Sequence, residues 1–249
     1  MLVHGLGSSS SFWDNVVPQL APSFRTTAVD LPGHGPGARP LAVTEAAPAR
    51  LAAALVDQLQ AAGIAQPHLV GLSLGGWVVL EMAAMGYGAS VVALAPAGLW
   101  RAGARVPREL GVALGRRLLV AVRPLLPRLS RRAAVRSLGL RMNVAHPERV
   151  TPEQFLAAAL ALAQARGYGA CDRAAVTARF ERGAAVAVPV TVAFGDHDRV
   201  LSAETARERS LLPPGTNWVT VADCGHAVSW DQPGEAVALI ESTARRACA

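Results

Sequence analysis

Three residues far apart in the chain could together make a hydroxyl reactive: Ser73, Asp198 and His226. Serine is a poor nucleophile at neutral pH. It needs a histidine to take its proton and a carboxylate to hold that imidazole in the right tautomer. Ser73 stands in Gly71-Leu72-Ser73-Leu74-Gly75, between a short apolar run and an apolar stretch of helical pattern. A serine on so sharp a strand-to-helix turn has a strained backbone that lifts its hydroxyl above the sheet edge. Glycines on either side avoid collision with the neighbouring strand and helix. The helix beginning beside Ser73 also points its positive end at any anion formed there. Asp196 competes with Asp198 for the acid role, with turn capping or water binding as its other reading. Asp223 is a weaker rival, too near His226 in sequence to orient it easily. Asp196-His197-Asp198 is not read as a metal site, because adjacent residues on an extended strand end point opposite ways and no second ligand set is visible.

These residues work together only if the elements carrying them end at one edge. The pattern predicts strands at Leu2-Val3, Thr26–Val29, His68–Leu72, Ser90–Ala95, Val188–Phe194 and Asn217–Val221. Between them it predicts a helix capped by Ser11 and running to Leu20, and one opened by Thr44 and running to Leu59. Further helices are expected over Trp77–Met85 with Glu81 turned outward, over Ala203–Leu212 and over Pro233–Arg246. Strand and helix alternate, the signature of a doubly wound, mostly parallel sheet of the α/β class. In such sheets ligands bind beyond the carboxyl ends of the strands. The polar residues following the predicted strands are His4, Asp30, Ser73, Asp196 to Asp198, and Asp223 with His226. The alternation stops at Pro96. From Ala97 to about Ala185 the chain reads as apolar helical pieces broken at Pro107, Pro124, Pro127 and Pro147, with a cleaner helix from Pro152 through Arg166. We therefore expect a core of residues 1–96 and 186–249 with a helical insertion at 97–185.

Composition bounds the rest. At 249 residues and 51% hydrophobic, the chain can bury a substantial core. Every basic side chain is arginine; the insertion holds sixteen against five acids, a surplus of eleven positive charges in a chain whose net charge is +6. Without aromatic–basic interleaving or a nucleic-acid motif, this reads as a solvated arginine-rich surface, and no nucleic-acid partner is expected. The apolar, basic stretch Leu110 to Arg141 has the composition of a membrane-docking surface, but cap helices share it, and we read it as cap. Cys171, Cys224 and Cys248 are scattered, odd in number and without metal spacing, as free thiols in a reducing cytoplasm would be. No span suits a bilayer, and the start leaves no room for a signal peptide.

The chain closely resembles the α/β-hydrolase superfamily. His4-Gly5-Leu6-Gly7 looks like its oxyanion loop, with Phe12-Trp13 where an aromatic commonly follows. Asp30-Leu31-Pro32-Gly33-His34-Gly35 is similar to the loop after its fourth strand, and Gly71 to Gly75 matches the nucleophile elbow. Phe194-Gly195-Asp196-His197-Asp198 resembles the segment whose acid falls at Asp198, and Gly225-His226 the segment of the catalytic histidine. The resemblance implies the fold, with the insertion as a cap, and makes the backbone N–H groups of Leu6 and Leu74 the oxyanion donors. His4, Gly5, Gly7, Gly71 and Gly75 would support them, and no metal or organic cofactor is implied. Hydrolysis of an ester-type bond of a small or medium hydrophobic molecule through an acyl-serine is then the expected activity. The same frame serves C–C hydrolases, thioesterases and acyltransferases, or a non-catalytic binding protein; an aspartate-nucleophile hydrolase is disfavoured by serine at position 73. The family usually has two further strands before the one ending at Val3, so we expect a native start upstream of Met1 and a more soluble, more active extended form. Oligomeric state has no signature in the sequence.

Overall fold

The computed structural model describes residues 1–104 and 110–248. Residues 105–109, including the expected helix break at Pro107, and residue 249 lie outside the described residues. Strands β1 (Leu2–Val3), β2 (Ala28–Val29), β3 (His68–Leu72), β4 (Ser90–Leu94), β5 (Val190–Gly195) and β6 (Asn217–Val221) form one sheet. Their order is β2-β1-β3-β4-β5-β6, and every pairing is parallel. Strands covered on both faces have no solvent side, and β4 and β5 are accordingly buried at every residue. Leu72 pairs with Leu94, and Leu94 with Ala193. That register brings the carboxyl ends of β3, β4 and β5 to one level, where Ser73 and the loop carrying Asp198 emerge.

Helices α1 (Val17–Leu20), α2 (Pro48–Ala61) and α3 (Leu74–Ala84) belong to the first half. Between β4 and β5 the described residues form helices and turns with no strand: α4 (Leu110–Ala121), α5 (Leu126–Leu129), α6 (Ala133–Leu140), α7 (Pro152–Gln164) and α8 (Tyr168–Val176). The last part adds α9 (Ala203–Ala206), α10 (Val228–Asp231) and α11 (Pro233–Arg246). Helix α7 starts on a complete capping box, Thr151 with Gln154, so its beginning coincides with the pattern.

Several local expectations need correction. The stretch from Ser11 to Leu20 is not one helix; it is a 3₁₀ turn over Ser10–Trp13 followed by a single turn of α1, because Pro18 lacks the N–H that would continue a helix through it. Ser11 caps nothing; its hydroxyl pairs with that of Ser9. Thr44 does not open α2. Pro48 drives Ala47 into extended backbone, φ −60°, ψ 135°, and the helix begins after it. The expected helix over Ala203–Leu212 shortens to α9 and a separate 3₁₀ turn at Arg209–Leu211. Thr26 and Thr27 precede β2 instead of belonging to it.

Glu81 is the largest departure. It is buried, not turned outward, because α3 packs on β3 and β4 on one side and on α2 on the other, leaving no wet face. Its carboxylate accepts a hydrogen bond from Trp77 Nε1 at 3.0 Å and lies 3.5 Å from Arg182. Burial raises its pKa, against the opposing pull of Trp77 and Arg182. Trp13, Trp77, Phe180 and Phe194 are the largest side chains fully buried in the core. Cys171 and Cys224 are buried free thiols, each pushed up to about 12 with burial as the main cause; Cys248 is exposed. No helix among the described residues is long and apolar enough to cross a membrane.

Candidate active site

The turn after β3 is built by close approach. A methyl group on Gly75 would run into the carbonyl oxygens of Val3 and His4, and one on Gly71 into the Gly75 carbonyl. Only glycine lets the start of α3 press this tightly on β1 and β3. Ser73, caught in the bend, has φ 54° and ψ −117°, a conformation L-residues rarely adopt and one that costs about 1–3 kcal/mol. Its main chain is pinned from both sides: the N–H donates to Leu94 O at 2.9 Å, and the carbonyl accepts from Ala97 N at 3.0 Å and Trp77 N at 3.1 Å. The Ser73 hydroxyl, half-buried, makes no hydrogen bond to another described residue.

The loop from His4 to Gly7 runs alongside. A Cβ on Gly5 would stand 3.2 Å from Ser73 Cβ, and Gly7 turns at φ +74° against Leu162 of α7 and Tyr168. His4 is fully buried and carries a full set of hydrogen bonds. Nδ1 donates to Gly5 O at 2.7 Å, and Nε2 accepts the Leu31 N–H at 3.0 Å. This donor–acceptor pattern needs the neutral ring. Burial, then the neighbouring His34, push its pKa down to about 3. His4 thus stitches the loop after β1 to the loop after β2, which Asp30 extends by accepting the Ser10 N–H at 2.6 Å. His34 stacks obliquely, its ring centroid 5.3 Å from that of His4. Neither Leu6 nor Leu74 donates its N–H to a backbone acceptor among the described residues; Leu74 opens α3, where first-turn donors have no partner within the helix.

Asp198 and His226 meet at the ends of β5 and β6. Nδ1 of His226 lies 2.9 Å from Asp198 Oδ2, both side chains being buried. The other oxygen, Oδ1, accepts the N–H groups of Val200 and Leu201, each at 2.9 Å. Burial works to raise the Asp198 pKa, but the hydrogen bond and charge of His226 and the two amides outweigh it, and the net shift is downward. With Asp198 as acceptor, Nδ1 carries a proton, and in a neutral ring the lone pair then sits on Nε2. Asp196 points elsewhere: its carboxylate accepts Asp223 N at 3.1 Å and Cys224 N at 3.0 Å, capping the turn after β6. His197 sits on Asp196 at 3.0 Å, and the three consecutive side chains share no centre. Asp223, at φ 53°, accepts from His146 Nε2 at 2.6 Å instead of from His226.

Two residues absent from the sequence argument belong to this neighbourhood. Arg207 donates to Gly195 O at 3.2 Å, lies 4.5 Å from the Phe194 ring centre and interacts with the Asp198 charge. Asp231 is buried and accepts three backbone N–H groups: Gly225 at 2.8 Å, Ala145 at 2.8 Å and His146 at 3.3 Å. The available signal was a lone acid inside the otherwise uncharged run Ala227-Val228-Ser229-Trp230-Asp231, since a charge in such a run must be paired or exposed. A cleft of about 310 Å³, bordered by Ser8, Phe12, Asn15, Ala157 and Trp230, opens between the flank of the His4–Gly7 loop and α7; neither Ser73 nor His226 lines it.

The model of the alpha/beta hydrolase family matches residues 1–239. Pimeloyl-[acyl-carrier protein] methyl ester esterase of Neisseria meningitidis serogroup B is 39% identical over 85 residues, 33% of this chain and 30% of that protein. Its counterpart in Methylococcus capsulatus is 38% identical over 90 residues, 36% of this chain and 32% of the other. The match thus spans about a third of the length of these curated relatives. Among solved structures, the enol-lactonase of Burkholderia xenovorans superposes with a TM-score of 0.76 at 20% identity, over 97% of this chain and 90% of that one. The carboxylesterase CesB of Bacillus subtilis gives 0.67 at 22% identity, over 97% and 81%.

Proposed function

The chain belongs to the alpha/beta hydrolase family, and on that premise we propose that it hydrolyses an ester-type bond of a small or medium hydrophobic molecule through an acyl-serine intermediate. The observation that carries the reading is the main chain of Ser73: a non-glycine residue kept at φ 54°, ψ −117° by contacts on both flanks. Such strain persists only where the surroundings over-determine it, and it clusters at reactive residues.

In the proposed reaction Ser73 Oγ attacks the ester carbonyl while Nε2 of His226 takes its proton. Asp198, paired with Nδ1, holds the ring and stabilises the imidazolium. The tetrahedral oxyanion receives the unpartnered N–H groups of Leu6 and Leu74. As the C–O bond breaks, His226 protonates the leaving alcohol; water then attacks the acyl-serine by the same route and releases the acid. Hydrogen bonds between nucleophile and base are often long without substrate, so the free Ser73 hydroxyl is compatible with this scheme. The helices of 97–185 act as the cap over the acyl pocket. Methyl esters head the substrate list, because the Neisseria relative is named for the methyl ester of a pimeloyl-[acyl-carrier protein].

The test is a panel of esters, thioesters and lactones of graded chain length, run on wild type and Ser73→Ala. Turnover of esters should fall by about 10⁴-fold or more in the variant. A fluorophosphonate should label Ser73 in the folded wild-type protein. Absence of that adduct would overturn the serine mechanism in favour of a binding protein.

A further inference from the structure

His226 is held on one side by Asp198, but its backbone is held from another direction. Gly225, just before it, donates to Asp231 Oδ2 at 2.8 Å; Ala227, just after it, donates to Asn143 O at 2.8 Å. Asn143 belongs to the segment joining α6 to α7, and the same carboxylate that receives Gly225 also receives Ala145 N and His146 N from that segment. The approach is close: a Cβ on Gly225 would lie 2.8 Å from Ala145 N and 2.9 Å from Val144 Cα. His146 and Arg149 then reach Asp223 at 2.6 Å and 3.8 Å, on the other side of Gly225.

We infer that Asp231 is a positioning residue that ties the seating of the cap to the placement of His226, by gathering the Gly225 amide and the 145–146 amides on one buried carboxylate. This rests on the reading of His226 as the base. No cation pairs with Asp231 among the described residues, so its hydrogen-bonding capacity is spent on main-chain N–H groups from two parts of the chain. A carboxylate can accept all three. An amide can accept at one atom only, so Asp231→Asn can retain the two 2.8 Å bonds and must lose the third. Asp231→Ala loses all three and leaves the amides of Gly225 and Ala145 unpaired in a buried seam. If the cap segment relaxes, the histidine loop relaxes with it, and a displacement of about 1 Å can cost on the order of 10²-fold in turnover.

The experiment compares wild type, Asp231→Asn and Asp231→Ala on the best ester of the panel, with thermal unfolding and amide hydrogen exchange measured alongside. In folded protein kcat should fall by about 10²-fold in Asp231→Ala, with partial rescue in Asp231→Asn and little change in KM. The amides of Gly225 and Ala145 should exchange faster together in Asp231→Ala and stay near wild-type protection in Asp231→Asn, which loses only the His146 bond. Wild-type kcat in a folded Asp231→Ala, or faster exchange at only one of the two amides, would overturn the coupling. Should Asp231→Ala fail to fold, native-state exchange of the wild type decides: the Gly225 and Ala145 amides should share one opening free energy, and unequal values would overturn the coupling. Ser73→Ala is run beside them: if it retains activity the serine mechanism is what fails, and the coupling is then judged on paired exchange alone.

Discussion

The two halves of the site are built by opposite means. Around Ser73 the chain is held by what is missing: Gly71 and Gly75 let β1, β3 and α3 approach to main-chain contact, and strain at one residue is the result. Around His226 the chain is held by what is added: Asp196, Asp198 and Asp231 each collect backbone N–H groups and turn loose loops into fixed ones. The first method gives rigidity through packing, and at the glycine contacts themselves no titratable group takes part. The second depends on negative charge, from exposed Asp196 to buried Asp231, and it can be weakened one acceptor at a time.

The largest expected effect tests the second half. Asp198→Asn should lower kcat by about 10⁴-fold with the protein still folded, since the amide misorients the ring; an activity within tenfold of wild type would remove Asp198 from its role. Next comes the first half. Gly75→Ala forces the start of α3 away from the Val3 and His4 carbonyls and with it the Leu74 N–H. Displacing that donor should cost about 10²–10³-fold, and normal ester turnover in a folded variant would refute the contact argument. The comparison itself is sharpened by combining variants. Asp198→Asn with Asp231→Ala should be non-additive, because both act on one ring, while Gly75→Ala with Asp231→Ala should add.

The smallest effect concerns His4, which belongs to the packed half. Its folded pKa of about 3 lies below the ordinary value of 6.5, so between those pH values the unfolded chain binds a proton that the native one does not. Its contribution is therefore present above pH 6.5 and lost as pH falls toward 3, by about 1.4 kcal/mol per unit at most. Urea unfolding followed against pH should show a shallower acid decline in His4→Gln; parallel curves would contradict the buried neutral ring.

Legibility in the sequence follows the same division. Gly71 to Gly75 is a local pattern with a local cause, so the elbow, its strand and its helix could be read directly. Strand ends at one level explain why Asp198 and His226 could be paired across 28 residues of chain. Asp231 could not, because its partners at Ala145 and His146 lie 86 and 85 residues away, between α6 and α7, and nothing local marks them. Glu81 was misread for a related reason: helical spacing shows that an acid lies on some face of α3, but not that every face is covered. The helix expected from Ser11 failed to a local rule, Pro18, that apolar periodicity had overridden.

The placement of the thiols bears on which reagents can reach this protein. Cys224 is two residues from His226, yet its sulfur is sealed inside and its proton is held up to about 12, and Cys171 is similarly enclosed. Electrophiles that seek thiolates therefore find a single handle, Cys248 beyond the last helix, whose neighbour Arg246 reaches Val190 O at the end of β5 opposite the Asp198 loop.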